Sequence, residues 1–347
     1  MTPNLPLLAI ATLVAGLLGG GGAPDDTPVE NARHPRPTGR AGVAEHAAAR
    51  GAAEQRRVLR YWTPRRMARA IPIDVITALR DGGAAGILAA VSGPGSAGPA
   101  PTRATSAARA AAPGRARAVL VTEGSPWGFA GSVTRTTGRV FLTIAGADFV
   151  CSAGTVRSAS RDLVVTAGHC VKDGVGAWAR NWTFVPGYSD GHRPYGEFTA
   201  RRMFVPEPWS RRGDDSHDLG MVALNTRRGR HVADLVGAQE IAFNGGRGQR
   251  THVFGFPADP PYDGQRLVYC AGPVRADPHG QTHDQGLPCD MTAGSSGGPW
   301  FSRFDERSGR GTVTSVSSFK YTDDQAVMYG PYFGRAAEEL YARAQRA

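Results

Sequence analysis

Three short segments of the 347-residue chain carry the residue types from which a nucleophilic serine site is built. An apolar run ends in small residues and His169 (LVVTAGHC), and a second apolar run begins with Asp218 (DLGMVAL). Ser296 lies among glycines (GSSGGP). Each segment alone is common, but the ordered set of three is hard to obtain by chance.

These residue types are complementary in one reaction. A serine hydroxyl attacks a carbonyl carbon only when a base removes its proton, and a neutral imidazole is such a base near neutral pH. A buried carboxylate fixes the imidazole tautomer and stabilises its charged form. Glycines let backbone N–H groups converge on one point, where they can hold an oxyanion. We expect the N–H groups of Gly294 and Ser296 to form that oxyanion hole.

The acidic partner of His169 has three candidates by position: Asp214, Asp215 and Asp218. Only Asp218 directly precedes the apolar run, so the pattern favours it. The neighbouring His217 is interpreted as a loop residue.

The elements that must position these residues are short strands. From residue 119 onward, β-type runs alternate with turn residues, which is typical of an antiparallel sandwich or barrel. The predicted strands include residues 139–145, 149–156, 162–166, 198–205, 219–224, 252–256, 266–270 and 312–316. Only the tail, residues 334–346, has helical spacing of apolar residues.

With these segments in place, residues 135–335 resemble the trypsin-like (chymotrypsin-fold) serine peptidases. TAGHC matches the histidine motif of that family, and GSSGGP matches its serine motif. The resemblance implies an all-β fold of two six-stranded antiparallel barrels with the site in the cleft between them. It also implies that His169 is the general base, Asp218 orients it, and Ser296 is the nucleophile.

One departure from the family pattern concerns activation. Animal members have an aspartate directly before the serine, which binds a newly freed N-terminus, whereas this chain has Ser295. The sequences GFP and CDMT are closer to the secreted bacterial branch, which includes the V8-like glutamyl peptidases. We therefore expect activation by removal of a pro-segment.

Specificity is predicted from two positions. Asp290 lies six residues before Ser296, where the resemblance to trypsin implies a carboxylate that pairs with a substrate Arg or Lys. The run 313–318 has no histidine, whereas the glutamyl branch uses one there to receive glutamate. The resemblance further implies that Ser317 offers its backbone to the substrate, although Phe319 departs from the Trp-Gly pair that is usual in the family.

A rival fold was considered because GSSGG also satisfies the nucleophile elbow of α/β-hydrolases. That fold needs its histidine after the serine, and the last histidine here is His283. The pattern therefore excludes a lipase-like enzyme.

Four cysteines permit three disulfide pairings. Pairing Cys151 with Cys170 and Cys270 with Cys289 closes the shortest loops, and the first pair resembles the family disulfide that holds the histidine loop. The chain has no closely spaced Cys-x-x-Cys pair, so we expect no metal and no cofactor.

The N-terminus is expected to be an export signal, residues 1–23, with an apolar stretch followed by small residues. A membrane anchor is the alternative, because the stretch is almost long enough to span. Residues 24–118 are rich in Arg and Ala, and we interpret them as a largely disordered pro-segment with a linker, in which residues 54–69 and 71–79 are expected to be partly ordered. Gly114–Arg117 contains Arg115 and Arg117, where an Arg-selective peptidase could cut its own precursor.

The formal net charge of +10 raises nucleic acid as a partner. Residues 24–118 hold 15 Arg against 7 acidic residues, so most of this charge lies in the predicted pro-segment. We therefore predict a secreted, extracellular and monomeric serine endopeptidase, residues 119–347, that acts on peptide or protein substrates. Neither nucleic-acid binding nor stable membrane association is expected. The alternatives are an inactive binding module on the same fold, a glutamyl-specific peptidase, and a basic surface-binding protein.

Overall fold

The computed structural model describes residues 42–73 and 120–347 of the chain, and β-strands dominate the second of these ranges. The predicted signal peptide and residues 74–119, which include Arg115 and Arg117, lie outside the described residues. The strands are β1 (Val43–Ala47), β2 (Ile71–Pro72), β3 (Val121–Pro126), β4 (Thr137–Ile144), β5 (Ala147–Thr155), β6 (Leu163–Thr166), β7 (Arg180–Pro186), β8 (Phe198–Pro206), β9 (Gly220–Leu224), β10 (Glu240–Ile241), β11 (Arg250–Gly255), β12 (Val268–Pro273), β13 (Arg275–Ala276), β14 (Gln285–Pro288), β15 (Pro299–Asp305), β16 (Arg310–Val316), β17 (Phe319–Tyr321) and β18 (Asp324–Gly330). The helices are α1 (Ala52–Tyr61), α2 (Pro64–Arg69), α3 (Ser132–Thr136), α4 (Glu207–Arg212), α5 (Val232–Val236) and α6 (Arg335–Ala344), and a 3-10 turn spans Asp215–His217.

Six of the strands close a barrel in the first half of the domain. Antiparallel pairing runs in the order β8, β7, β4, β5, β6 and β9, and β9 pairs back with β8. All eight residues of β4 are buried, and successive side chains such as Val140 and Phe141 belong to two different cores, one on each face of the strand. This barrel confirms the predicted architecture of the first half.

The second half differs in detail from a single closed barrel. A six-stranded sheet has the order β10, β16, β15, β11, β12, β3, and a separate four-stranded sheet has the order β13, β14, β18, β17. The chain leaves the first sheet at Val316 and enters the second at Phe319, and the N–H of Ser318 donates to the carbonyl of Tyr329 at the crossing. The domain is thus all-β with the chymotrypsin-like arrangement that the resemblance implied.

Covalent and helical features of the domain agree with the sequence. The two predicted disulfides, Cys151–Cys170 and Cys270–Cys289, are both present. The predicted C-terminal helix is α6, and its Leu340 is fully buried against the core. No helix within the described residues is long and apolar enough to cross a membrane.

Residues 42–73, which we call the N-terminal arm, are folded onto the first barrel. Strand β1 pairs antiparallel with β8 over five residues, and β2 pairs in parallel with Phe149 and Val150 of β5. The side-chain amide of Asn225 donates to the carbonyl of Ala49 at 2.7 Å. The arm therefore covers strand edges that would otherwise present unpaired backbone groups.

The folded arm contains residues 54–69 and the start of the patch 71–79, for which the sequence predicts partial order, and the rest of the predicted pro-segment lies outside the described residues. Trp62 is 2% exposed, packs on Phe141, and donates its indole N–H to the carbonyl of Asn181. Met67 and Ile73 are also buried in the cores of the domain. The arm folds although it is rich in arginine, because a few apolar side chains and the strand pairing suffice when burial is against a preformed barrel, which needs little core of the arm's own.

We expect a Trp62→Ala variant to undock the arm while the barrel stays folded. Removing a buried tryptophan costs about 3–5 kcal/mol, which is comparable with the stability of a small docked segment. Hydrogen exchange at the amides of β1 should accelerate by about 100-fold or more. Leu59→Ala, at a position 38% exposed on α1, is the matched control and should change exchange by only a few fold. Unchanged exchange at β1 in Trp62→Ala would show that Trp62 does not hold the arm.

Candidate active site

His169 follows directly from the end of β6. The hydroxyl of Thr166 donates to the carbonyl of Ser152 at 2.8 Å and ties this strand end to β5. A Cβ atom on Gly168 would lie 2.8 Å from Oδ1 of Asp218, so glycine is needed for the two segments to approach. The Cys151–Cys170 disulfide anchors the following residue to β5. His169 is thus held from both sides.

Asp218 makes two bonds to His169. Its Oδ2 lies 2.7 Å from Nδ1 of the imidazole, and its Oδ1 accepts the backbone N–H of His169 at 2.7 Å. Since a carboxylate accepts, Nδ1 carries the proton and the neutral ring presents Nε2 as its basic nitrogen. This is the tautomer that a general base requires.

The electrostatics of Asp218 keep it ionised although it is almost fully buried. Burial alone would raise its pKa, but the interactions with His169 and the hydrogen bonds from Ser318 and from the His169 N–H outweigh this effect. The pKa of Asp218 therefore lies below its ordinary value. A charged carboxylate at this place stabilises an imidazolium.

The other two candidate acids occupy different places. Asp214 caps the 3-10 turn by accepting the N–H of Ser216 at 3.2 Å, and it lies 3.2 Å from Nδ1 of His217. Asp215 lies within that turn and is exposed. Of the three, Asp218 is the one that bonds His169.

Ser296 lies in a tight loop between Met291 and β15 and is 2% exposed. Its carbonyl accepts the N–H of Ser152 at 2.8 Å, so the serine loop is joined to β5 of the first barrel. Gly297 has a φ of +80°, and a Cβ atom there would lie 2.0 Å from Oγ1 of Thr166. Only glycine lets the serine loop pack against the strand end that leads to His169.

The backbone of this loop supports the expected oxyanion hole. The N–H groups of Ser295, Gly297 and their neighbour Gly298 are bonded to carbonyls within the protein. The N–H of Gly294 makes no hydrogen bond to any described residue. It is therefore a donor that remains for a substrate oxygen, as predicted together with the N–H of Ser296.

The backbone N–H and carbonyl groups of Ser317 are both hydrogen-bonded inside the protein. Its N–H donates to the carbonyl of Gly298 at 2.9 Å, its carbonyl accepts the N–H of Gly297 at 2.7 Å, and its side chain is fully buried. Both backbone groups are thus used inside the protein, and the structure disfavours the predicted role.

Ser318 takes the position that the sequence reasoning missed. Its hydroxyl donates to Oδ2 of Asp218, and the chain then continues as β17, the edge strand of the four-stranded sheet. The sequence analysis named Ser317, and the serine that bonds Asp218 is the next residue. The Ser-Ser pair was the only signal, and it does not tell which serine faces the aspartate.

Asp290 is half-buried, and one of its carboxylate oxygens accepts hydrogen bonds from the protein. Its Oδ1 accepts the N–H of Gly124 at 2.6 Å and the hydroxyl of Tyr262 at 2.7 Å. Burial and this carboxylate raise the pKa of Tyr262 well above its ordinary value. Asp290 therefore anchors β3, while no hydrogen bond reaches its Oδ2 from the described residues.

A second buried carboxyl near the triad was not foreseen from the sequence. Asp284 is 1% exposed, and neither of its oxygens has a hydrogen-bond partner among the described residues. Burial and the charges of four aspartates, first among them Asp218, raise the pKa of Asp284 to about 8. Asp284 is consequently a neutral acid at neutral pH.

One group in the described part of the chain has the spacing of metal ligands: Cys151, His169 and Cys170. The two cysteines are bonded to each other, so their sulfur atoms are not thiolates. This group belongs to the histidine loop.

Comparison with known proteins agrees with this geometry. The family model described as a trypsin-like peptidase domain matches residues 149–307, which include His169, Asp218 and Ser296. The solved structure of protease Anisep from Arthrobacter nicotinovorans is 39% identical, with a TM-score of 0.59 over 61% of this chain and 96% of that one. The thermostable serine protease AL20 from an extremophilic microorganism is 42% identical, with a TM-score of 0.59 over 62% of this chain and 99% of that one.

Two more distant similarities have narrower meaning. A Glu endopeptidase structure is 18% identical with a TM-score of 0.53, over 66% of this chain and 100% of that one, and shows the fold alone. The curated extracellular metalloprotease of Bacillus subtilis (strain 168) is 32% identical over 98 residues, or 28% of this chain. That match spans 31% of the Bacillus protein.

Proposed function

The chain belongs to the trypsin-like peptidase family, and from this premise we propose that it is a secreted serine endopeptidase that works through His169, Asp218 and Ser296. The observation that carries the proposal is the pair of hydrogen bonds that Asp218 accepts from His169, one from the backbone N–H and one from Nδ1. It holds one ring orientation and one tautomer, which an inactive binding module would not need.

The reaction follows from these positions. Nε2 of His169 takes the hydroxyl proton as Oγ of Ser296 attacks the scissile carbonyl carbon, and the carbonyl electron pair moves onto the oxygen. The N–H groups of Gly294 and Ser296 stabilise this oxyanion. The intermediate collapses, the imidazolium donates its proton to the leaving amine, and an acyl ester remains on Ser296. Water then attacks the ester with His169 again as base, which releases the acid and restores the serine.

Cleavage after Arg or Lys is the specificity that we favour. Asp290 keeps one carboxylate oxygen without a hydrogen bond from the described residues, and an anionic oxygen is the natural partner of a guanidinium or ammonium. A glutamyl preference is the second candidate, because the fold is shared with a Glu endopeptidase. The absence of a histidine from residues 313–318 argues against it.

Secretion as a precursor belongs to the same proposal. Two disulfides are typical of an oxidising compartment, and the name of the Bacillus relative places that protein outside the cell. Removal of residues 24–118 as a pro-segment requires more than a cut at Arg115 or Arg117. The arm must also leave β8 and β5, so release should be slower than cleavage.

The function is tested by an active-site probe. Folded secreted protein should react with a fluorophosphonate, because an activated serine attacks phosphorus as it attacks a carbonyl. Mass spectrometry of the labelled digest should place the adduct on the peptide that contains Ser296, and protein unfolded beforehand should not label. A peptide-library digest by the same sample reads whether Arg, Lys or Glu precedes the cut. Absence of labelling in folded protein freed of the pro-segment would contradict the proposal.

A further inference from the structure

A cluster of aspartates lies beside the Asp218 end of the triad. We call Asp214, Asp215 and Asp277 the acidic rim; Asp215 is exposed, and the other two are half-buried. Asp284 is the fully buried member at its base. Carboxylates thus extend from the surface into the interior at one place.

The rim is held together by contacts between two loops. The N–H of His283 donates to the hydroxyl of Ser216 at 2.9 Å, which joins the loop before β14 to the turn before Asp218. The hydroxyl of Tyr321, on β17, donates to Oδ2 of Asp277 at 2.6 Å. The cluster therefore borders the edge strand that begins next to Ser318.

The hydrogen-bond and ion-pair partners of these carboxylates differ in charge. Asp214 has Arg212 at 3.6 Å and His217 at 3.2 Å. Asp277 is bonded by neutral donors, the hydroxyls of Tyr321 and Thr282 and backbone N–H groups. Neither oxygen of Asp284 has a partner in the described part of the chain.

An unpartnered buried carboxyl is costly unless a ligand satisfies it. A cation placed over the rim would be attracted by the rim carboxylates, and it would favour the charged form of Asp284, which is otherwise neutral, in a region of low dielectric. The edge of β17 offers backbone groups to which an extended peptide can add as a further strand. Side chains of such a peptide would project towards the rim.

We propose that the acidic rim, with Asp284 at its base, is a subsite for an Arg or Lys side chain of the peptide substrate, on the amino-terminal side of the residue at the cut. This inference rests on the proposed peptidase function. It adds a second basic-residue preference that is independent of Asp290.

The test uses pairs of peptides that differ at a single side chain. Each carries either arginine or citrulline, its neutral isostere, at one of the three positions before the residue at the cut, which is kept constant. The wild-type enzyme should prefer arginine by about tenfold in kcat/KM at one of these positions. Asp284→Asn should reduce the preference to about threefold or less, and the exposed Asp215→Asn gives a second variant whose folding is not in question.

Two comparisons make the result decisive. Asp234→Asn, outside the rim and paired with Arg161, should leave the preference unchanged. Asp234→Asn should also hydrolyse the citrulline peptides within about twofold of wild type, because it lies outside both the rim and the triad. An arginine preference that is absent in wild type, or that survives in both rim variants, overturns the subsite.

Further outcomes distinguish the subsite from a metal site and from a failure of the proposed peptidase function. If millimolar Ca²⁺ raises the Tm of wild type but not of Asp284→Asn, the rim is a metal site and the proposal is wrong. If wild-type enzyme hydrolyses none of the peptides, the peptidase function fails and the subsite fails with it. Hydrolysis without an arginine preference removes the subsite alone.

Discussion

A Ser296→Ala variant is expected to hydrolyse peptides roughly 10⁵- to 10⁶-fold more slowly than wild type in kcat, the size established for triad peptidases. The substitution removes the attacking oxygen, so the His169–Asp218 pair has no proton to take, and the triad loses its function as a unit. KM should change little, because the loop backbone is set by Gly297 and by the bond from Ser152 and not by the hydroxyl. Steady-state kinetics on a chromogenic peptide measure both constants.

Ser295→Ala is the matched control for this loss. Ser295 is the adjacent serine, is 1% exposed, and donates its hydroxyl to the carbonyl of Thr292 at 2.7 Å. Its replacement removes one hydrogen bond worth about 1 kcal/mol, so stability should fall slightly and kcat should stay within about tenfold. If instead Ser295→Ala is inactive and Ser296→Ala is active, the nucleophile has been assigned to the wrong serine.

The histidine and serine loops could be predicted because their chemistry depends on glycine. The Asp218 carboxylate packs against Gly168, and the hydroxyl of Thr166 packs against Gly297, so a larger residue fits at neither place. The glycines of the motifs TAGHC and GSSGGP therefore indicate these contacts directly in the sequence. The positions of the strands could be predicted equally well. Buried strands such as β4 alternate with turns that only a few residue types tolerate.

The register between paired strands could not be predicted from the sequence in the same way. The pairing of β15 with β16 shifts at Trp300 and again beyond Ser302, and such irregularities cannot be derived from the alternation of apolar and polar residues. No feature of the local sequence distinguishes Ser317 from Ser318. The backbone bonds to Gly297 and Gly298 settle the matter only in the folded domain.

The docking of the N-terminal arm and the burial of Asp284 escaped prediction because tertiary contacts determine both. The arm lacks a core of its own, and Trp62 becomes buried only against Phe141 of the barrel. Asp284 lies in a polar stretch that composition assigns to the surface, yet the two loops bring it beside Asp218. A sequence pattern reports the periodicity of an element, and it does not report what packs on that element later in the chain.

Asp284→Asn is expected to stabilise the domain by an amount that grows with pH. Burial and the neighbouring aspartates raise the pKa of Asp284 from an ordinary 3.8 to about 8. Below about pH 4 both the folded and the unfolded chain are protonated there, and an amide of the same shape should change little. Between about pH 4 and 8 the unfolded chain ionises while the folded one stays neutral, so wild type loses stability steadily as pH rises. Above about pH 8 both forms are charged and the difference is constant.

At pH 7 this difference amounts to roughly 4 kcal/mol in favour of Asp284→Asn, on the order of three pH units at 1.4 kcal/mol each. Urea unfolding at pH 4, 6, 8 and 9, in a Ser296→Ala background that prevents self-digestion, measures the free energy of unfolding directly. Asp234→Asn removes an exposed carboxylate paired with Arg161 and should shift stability by less than about 1 kcal/mol. A difference between Asp284→Asn and its parent that stays the same from pH 4 to pH 9 would mean that Asp284 is ionised in the folded protein, with a cation beside it that the acidic rim already holds.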